Sequence, residues 1–389
     1  MKEFNSSTIG GRLTIHGEYN STLDIESFSR MIKDPSYRYK FYWLEALVVL
    51  ISQGIAESTF DEVIDEMIVN AWYSVREFHI HLSSIQSGEI RDGLERAVLT
   101  LAEVSALPAN ASTAEIKNAI AKHQAELRPF KEQLTHMVPY RALAGFFQRS
   151  SEPAKWNSIL HLIDYMHRFN HTIEILPYTL GKSSGLRREI YFHPTWMKMI
   201  QDNTVSIMGW IQYEKVKWLQ TNNPEVPGLV YKLSPLDEKM RKLKQVRKLW
   251  AGVLECQPVY DVFTHRPLEK DYDMDHFIPW SFVMNDELWN LMPMDPGLNS
   301  AKSNLLPRWD PFFPYFAGNQ FILYELTQSN PHIRDLYEKC FRDNLHSLWA
   351  QQELYRPGNT REEFFHILEK NMQPVYDSAR RQGYAVWGF

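Results

Sequence analysis

From Tyr39 to Gln220 the apolar residues recur at helical spacing and are interrupted by Pro and Gly, which predicts a mostly helical first half. Phe41 to Gln53 reads as a dense apolar helix closed by Gly54. Ser58 with Asp61 makes a capping-box pattern and opens a second helix through Met67, Trp72 and Val75. A third helix is predicted from Glu89 to Ala106, stopping before Pro108, and Ser112 with Glu115 opens a fourth to about Leu127. Thr172 to Tyr178 and Glu189 to Phe192 are rich in β-branched and aromatic residues and read as strands, with Gly181 to Gly185 as a loop between them. A long helix follows Pro194, carries Trp196, Ile200, Trp210 and Leu219, and is interrupted near Asn203.

Asn222 to Leu233, with Pro224, Pro227 and Gly228, reads as a linker. Beyond it Ser234, Pro235 and Asp237 form a start signal for a helix to about Trp250, and Val259 to Thr264 reads as a strand turning at His265-Arg266, with Tyr260 and Val262 on one face of it. After the Pro-aromatic run Pro311 to Phe316, helical patterns cover Asn319 to Thr327, Ile333 to Gln352, Arg361 to Met372 and Pro374 to Phe389. The predicted organisation is a helical module at 1–233, a core at 234–310 and a helical segment at 311–389 that packs on the core. No internal repeat is visible, which argues against a solenoid.

Composition narrows the class. The chain of 389 residues is 44% hydrophobic and 13% aromatic, enough for substantial cores. Its net charge of −5 does not mark a general polyanion binder, so any nucleic-acid site must be a local basic surface. The two cysteines, Cys256 and Cys340, exclude a disulfide scaffold and a four-cysteine zinc site within the chain, and point to a reducing, cytoplasmic setting. The longest aliphatic run, Ala46 to Ile51, is too short to span a bilayer, so no membrane role is expected. The Trp and Tyr residues of the first half are read as core and not as base-stacking platforms, and His79 with His81, two apart, are read as a packed or surface pair with metal binding as the alternative.

The chemistry concentrates in one stretch. It runs Asp271-Tyr-Asp273-Met-Asp275-His276-Phe-Ile-Pro279-Trp280-Ser281, then Trp289-Asn290, then Asn299-Ser-Ala-Lys302-Ser303-Asn304 and on to Pro307. Breaking a phosphodiester needs a base for water, positive charge on the phosphate oxygens and help for the leaving oxygen. Histidine titrates near neutrality and suits the base, while one carboxylate and one amide oxygen are sufficient protein ligands for a single Mg²⁺. Asp271, Asp273 and Asp275 alternate and would share one strand face; they offer a second metal position or are simply solvated edge charges.

In order and spacing these residues resemble the HNH, or ββα-metal, nucleases, as found in bacterial defence nucleases and in the HNH domain of RNA-guided CRISPR effectors. The resemblance covers less than a tenth of the chain. It implies a mainly α fold of α+β type with an embedded ββα-metal element, and a metal-dependent endonuclease acting on DNA, in anti-phage defence or restriction. It further implies that Asp275 and Asn299 hold Mg²⁺ or Mn²⁺, that His276 is the general base, and that Asn290 holds the loop that aims it. Lys302, on the same helix face as Asn299, would contact phosphate, and products would carry 5′-phosphate and 3′-hydroxyl ends. Many members brace the element with a zinc site; here Cys256 stands alone before the motif, so no structural zinc is expected.

Lys239, Arg241, Lys242, Lys244, Arg247 and Lys248 lie just ahead of the motif and offer phosphate contacts, though such a run is also an ordinary solvated helix face. Two other functions stay open: a ribonuclease or nuclease activated by a protein partner through the helical module, and a non-catalytic nucleic-acid-binding subunit. The acidic net charge favours gated activity, because a nuclease without a strong basic footprint binds duplex weakly.

Overall fold

The computed structural model describes residues 13, 15, 19, 21–32, 39–83, 90, 92–136, 138–147, 154, 158–172, 175–233, 241–268 and 271–389. The chain divides into two compact units, Met1–Pro224 and Glu225–Phe389. Both are mainly helical with small antiparallel sheets, so the fold is α+β.

In the first unit α1 (Lys40–Ser52) is buried nearly all round and forms the central helix. Helix α2 (Phe60–Phe78) packs on it, followed by α3 (Gly93–Ser105), α4 (Thr113–Lys122) and α5 (Gln124–Leu134). The predicted box at Ser58 and Asp61 is displaced by one residue. Thr59 is the N-cap and Glu62 its reciprocal partner. Asp61 instead pairs with the buried Lys131 at 2.5 Å, and Ser58 lies inside strand β1 (Glu57–Thr59). The box at Ser112 and Glu115 forms as the sequence indicates, but the helix ends at His123 and α5 begins there.

The third helix is shorter than the sequence implied, because Asp92 caps it at Gly93; Glu89 lies outside the described residues. Thr172 ends helix α6 (Ile159–Thr172) and is not in a strand; residues 173 and 174 lie outside the described residues, and strand β2 is Tyr178–Leu180. Strand β3 (Glu189–Phe192) lies between β1 and β2, antiparallel to both. Helices α7 (Pro194–Asp202) and α8 (Thr204–Asn222) meet at the predicted break, Asn203.

Most of the described large aromatics of this unit are packed, although Tyr191 and Tyr213 are exposed. Trp43 Nε1 donates to the Tyr178 hydroxyl at 3.2 Å, and Trp43, Trp72 and Trp196 are fully buried. His79 caps α2 in a left-handed conformation, and burial pushes its imidazole down to about 4. His81 Nδ1 bonds Glu95 at 2.8 Å, so the two histidines serve packing.

In the second unit the predicted start signal at Ser234, Pro235 and Asp237 falls on residues 234–240, outside the described residues. Helix α9 spans Lys244–Cys256. Val259 to Thr264 is not a strand. The Asp261 carboxylate accepts from Phe263 N, Thr264 N and Thr264 Oγ1, curling the chain into a turn closed by a single bridge between Tyr260 and Pro267. Tyr260 is therefore exposed while Val262 is buried.

Strands β4 (Asp273–His276) and β5 (Leu291–Met294) pair antiparallel, with Asp275 opposite Met292 and His276 opposite Leu291. Helix α10 (Pro296–Lys302) follows directly and completes a ββα element. Helices α11 (Trp309–Ser329), α12 (Pro331–Asn344) and α13 (Arg361–Arg381) belong to the same unit. The Gln320 amide of α11 donates to the carbonyls of Leu288 and Leu291 and fixes the entry to β5. Pro374 does not divide α13, and the predicted helix to Gln352 stops at Asn344 before a separate turn at Ala350–Leu354. Among the described residues no helix is long and apolar enough to cross a membrane.

Candidate active site

Alternation along β4 sorts the motif onto two faces. Asp273 and Asp275 are partly open on one; Met274 and His276 are buried on the other. Asp271 precedes the strand and is exposed. The three carboxylates therefore do not form one row.

Helix α10 is started by Asp295, whose carboxylate accepts from Leu298 N at 2.9 Å, with Pro296 in the first turn. It presents Asn299 and Lys302, three residues apart, to the open face of β4. Asn299 Nδ2 donates to Asp273 Oδ2 at 3.1 Å. Lys302 Nζ donates to Asp275 Oδ2 and to the His276 carbonyl, both at 2.8 Å. Lys302 has 0% exposure, so the phosphate contact expected of it is corrected. Its ammonium ties the carboxylate of one motif residue to the backbone of the next.

The donors on this face are two carboxylates and one amide, all oxygen chemistry, which suits a hard divalent cation such as Mg²⁺ or Mn²⁺. Asp275 stays 16% exposed despite its lysine. Asn299 presents nitrogen to Asp273; a half-turn of the amide would exchange it for the oxygen that an ion requires. Among the described residues there is no cluster of three or more His, Cys, Asp or Glu for a metal, so the fit rests on this mixed set.

His276 is 1% exposed. Its Nε2 lies 3.1 Å from the Asn285 carbonyl and 3.2 Å from Asp286 Oδ1, and its Nδ1 has no hydrogen-bond partner among the described residues. Both neighbours of Nε2 are acceptors, so the proton of the neutral ring sits there and Nδ1 keeps a free lone pair. Burial lowers the pKa of His276, opposed by the hydrogen bond to Asp286. The ring is thus neutral at pH 7. Burial alone would push the Asp286 carboxyl up, but the bonds from His276 and Lys242 N and the charge of Arg241 bring it below its ordinary value.

Asn290 is fully buried in the turn ahead of β5. Its Oδ1 accepts from Ile278 N and its Nδ2 donates to Ile278 O, both at 2.8 Å, while its carbonyl accepts from Phe277 N. Three bonds from one residue hold the loop that leaves His276.

Three of the six residues of the basic segment have partners within the protein. Lys239 lies outside the described residues, and Arg241 and Lys242 precede the helix. Arg241 pairs with Asp286 at 3.1 Å and stacks on Trp280, Lys242 pairs with Asp343 at 2.8 Å, and Arg247 bonds the Tyr272 carbonyl at 2.7 Å beside Asp273. Lys244 and Lys248 are exposed, with no ion pair among the described residues. Asn285 and Asp286 had no signal in the sequence beyond that of a turn; Met284 in left-handed conformation (φ 56°) turns the chain that carries them to His276.

A family model described as HNH endonuclease matches residues 262–308. No curated protein and no solved structure matches the chain.

Proposed function

We propose that the 262–308 segment, which matches a model of HNH endonucleases, is a nuclease element that hydrolyses phosphodiester bonds in DNA with a divalent cation. The observation that carries the reading is the state of His276: a neutral ring whose Nε2 is held by two acceptors and whose Nδ1 lone pair has no partner among the described residues. In the reaction His276 Nδ1, buried in this structure and brought to water by movement of the loop around it, takes a proton from water, the water oxygen bonds to phosphorus, the P–O3′ bond breaks, and the leaving 3′-oxygen takes a proton from solvent. The products carry 5′-phosphate and 3′-hydroxyl ends, as in the nucleases the motif resembles.

Asp275 and Asn299, with Asp273 beside them, would hold Mg²⁺ or Mn²⁺, which supplies positive charge to the phosphate and to the leaving oxygen. Asp286 positions the ring through Nε2, favours its protonated form once the proton is taken, and is itself held by Arg241. Asn290 fixes the turn at Phe277 and Ile278, and Lys302 locks the backbone at His276 to Asp275. The exposed pair Lys244 and Lys248 offers a small phosphate-binding surface. Such a weak footprint supports activity gated by a partner, and a role in anti-phage defence is consistent with it.

The test is incubation of the purified chain with supercoiled plasmid, single-stranded DNA and RNA, each with Mg²⁺ and with EDTA. Nicking or linearisation of plasmid with Mg²⁺, abolished by EDTA, is the expected result. Cleavage of RNA alone would move the substrate assignment to a ribonuclease, and cleavage that persists in EDTA would overturn the metal assignment.

A further inference from the structure

The turn that meets His276 at Nε2 is itself held by the end of α12. Asp286 Oδ1 lies 3.2 Å from His276 Nε2, and Asp286 Oδ2 accepts from Lys242 N at 2.6 Å. The peptides of Asp286 and Lys242 both end on one side chain. Asn344, the last residue of α12, donates through Nδ2 to the Asp286 carbonyl at 2.8 Å and to the Lys242 carbonyl at 2.9 Å. It is fully buried.

Two carbonyls can be met together by an amide nitrogen, which carries two hydrogens. Asn344 Oδ1 is buried with no hydrogen-bond partner among the described residues, so the amide is held there by its donors alone. The unpaired oxygen costs stability that an apolar residue in its place would not. What the amide supplies is a fixed spacing between the two peptides that grip the Asp286 carboxylate. The next residues extend the contact. The buried Glu287 accepts from His346 N at 2.8 Å and Ser347 N at 3.3 Å, and Trp289 Nε1 donates to Ser347 Oγ at 3.2 Å. This chain of contacts reaches the ring at Nε2 and does not engage Nδ1, where water must arrive.

We propose that Asn344 is a positioning residue of the active site, setting Asp286 against His276 Nε2 by holding the Asp286 and Lys242 peptides together. The role in catalysis rests on the reading of His276 as the base. Asn344 lies outside the 262–308 segment, so the helices that follow this segment complete the site and do not merely cover it.

The first readout does not depend on activity. Ring-nitrogen-labelled histidine is followed by NMR in the full chain with EDTA, at a pH where the ring is neutral, and the His276 signal is assigned by its absence from His276→Ala. A ring N–H shared with a carboxylate is strongly deshielded, and Asp286→Asn marks where the signal moves when that partner becomes neutral. Asn344→Leu should move the Nε2–H signal toward the Asp286→Asn position. Asn359→Leu removes another buried asparagine whose Nδ2 donates to two carbonyls, and should leave the signal at the parental position. Asn344→Ala, which leaves room for water at the carbonyls, replaces the leucine variant if that one fails to fold. In plasmid cleavage with Mg²⁺, Asn344→Leu should lower kcat by about tenfold with KM within about twofold, and Asp286→Asn/Asn344→Leu should be no more than about twofold slower than Asp286→Asn alone, because the two residues act in series. An unmoved signal in the folded Asn344 variant, an equal shift in Asn359→Leu, full cleavage by a variant whose signal has moved, or additive losses in the double variant would overturn the proposal. Failure of the nuclease reading shows separately, as parental cleavage by His276→Ala while Asn344→Leu still moves the His276 signal.

Discussion

Each unit of this chain buries lysine against carboxylate, and two such pairs, Glu45–Lys215 in the first and Asp275–Lys302 in the second, do different things. In the first, Lys215 of α8 meets Glu45 of α1 at 2.8 Å, both almost fully buried, with the Tyr42 ring 4.7 Å from the ammonium and Gln212 donating to the other carboxylate oxygen. Every charge there is answered by the protein. In the second, Lys302 is as deeply buried, but its partner Asp275 stays 16% exposed and shares its strand face with Asp273 and Asn299. Its other hydrogen bond goes to the His276 backbone, next to an imidazole nitrogen left without a partner among the described residues. One pair closes a helix interface, whereas the other leaves partly open oxygen donors beside a histidine that is itself buried in this structure.

The comparison breaks most sharply under lysine-to-methionine substitution. Lys215→Met leaves Glu45 buried without its cation and should lower unfolding free energy by about 3–5 kcal/mol, read by urea denaturation, without changing the cleavage rate per folded molecule. Lys302→Met should do the reverse. With Asp275 still partly exposed the stability loss should be smaller, about 1–3 kcal/mol, while cleavage falls by at least about tenfold because Asp275 and the His276 backbone are no longer anchored together. Equal effects of the two substitutions on both readouts would erase the distinction.

The pairs also differ in how far they could be read from sequence. The α+β architecture was legible because helix caps, strand alternation and turn residues are local signals: the box at Ser112 and Glu115, the strand Glu189–Phe192 and the break at Asn203 each lie where the pattern indicated. The convergence of Asp273, Asp275, Asn299 and Lys302 follows from the same kind of signal, alternation on β4 and three-residue spacing on α10. The Glu45–Lys215 pair had no such signal, since it joins helices far apart in sequence. Neither did Asp286, which reaches His276 only through the left-handed turn at Met284. The expected phosphate contact of Lys302 had a simple origin: charge in a sequence suggests solvent or phosphate, whereas the fold turns this lysine inward to Asp275, and in the basic segment Arg241 pairs with the buried Asp286.

The next effect separates the buried face of β4 from the open one by pH. Because the neutral ring is the active form and its pKa lies below the ordinary value of about 6.5, cleavage should be full at neutral pH and decline only as pH falls through that lowered value. Asp286→Asn removes the group that opposes the lowering. Its acidic limb should move further toward low pH, with a reduced plateau from the weaker base; a uniform loss of rate with an unmoved limb would make Asp286 merely structural.

The smallest effect concerns the exposed cations. Replacing Lys244 and Lys248 together by Ala should weaken DNA binding without sequence preference and make the salt slope shallower by about one for each lysine that had neutralised a phosphate. An unchanged slope would mean that neither touches phosphate.

The most direct test of the central claim, that His276 is the base of a nuclease site, is plasmid cleavage with Mg²⁺ by His276→Ala beside the parent, with thermal melts confirming that both are folded at the assay temperature. A loss of about 10²–10⁴-fold in rate with DNA binding retained is the predicted result. Cleavage by folded His276→Ala at the parental rate would contradict it.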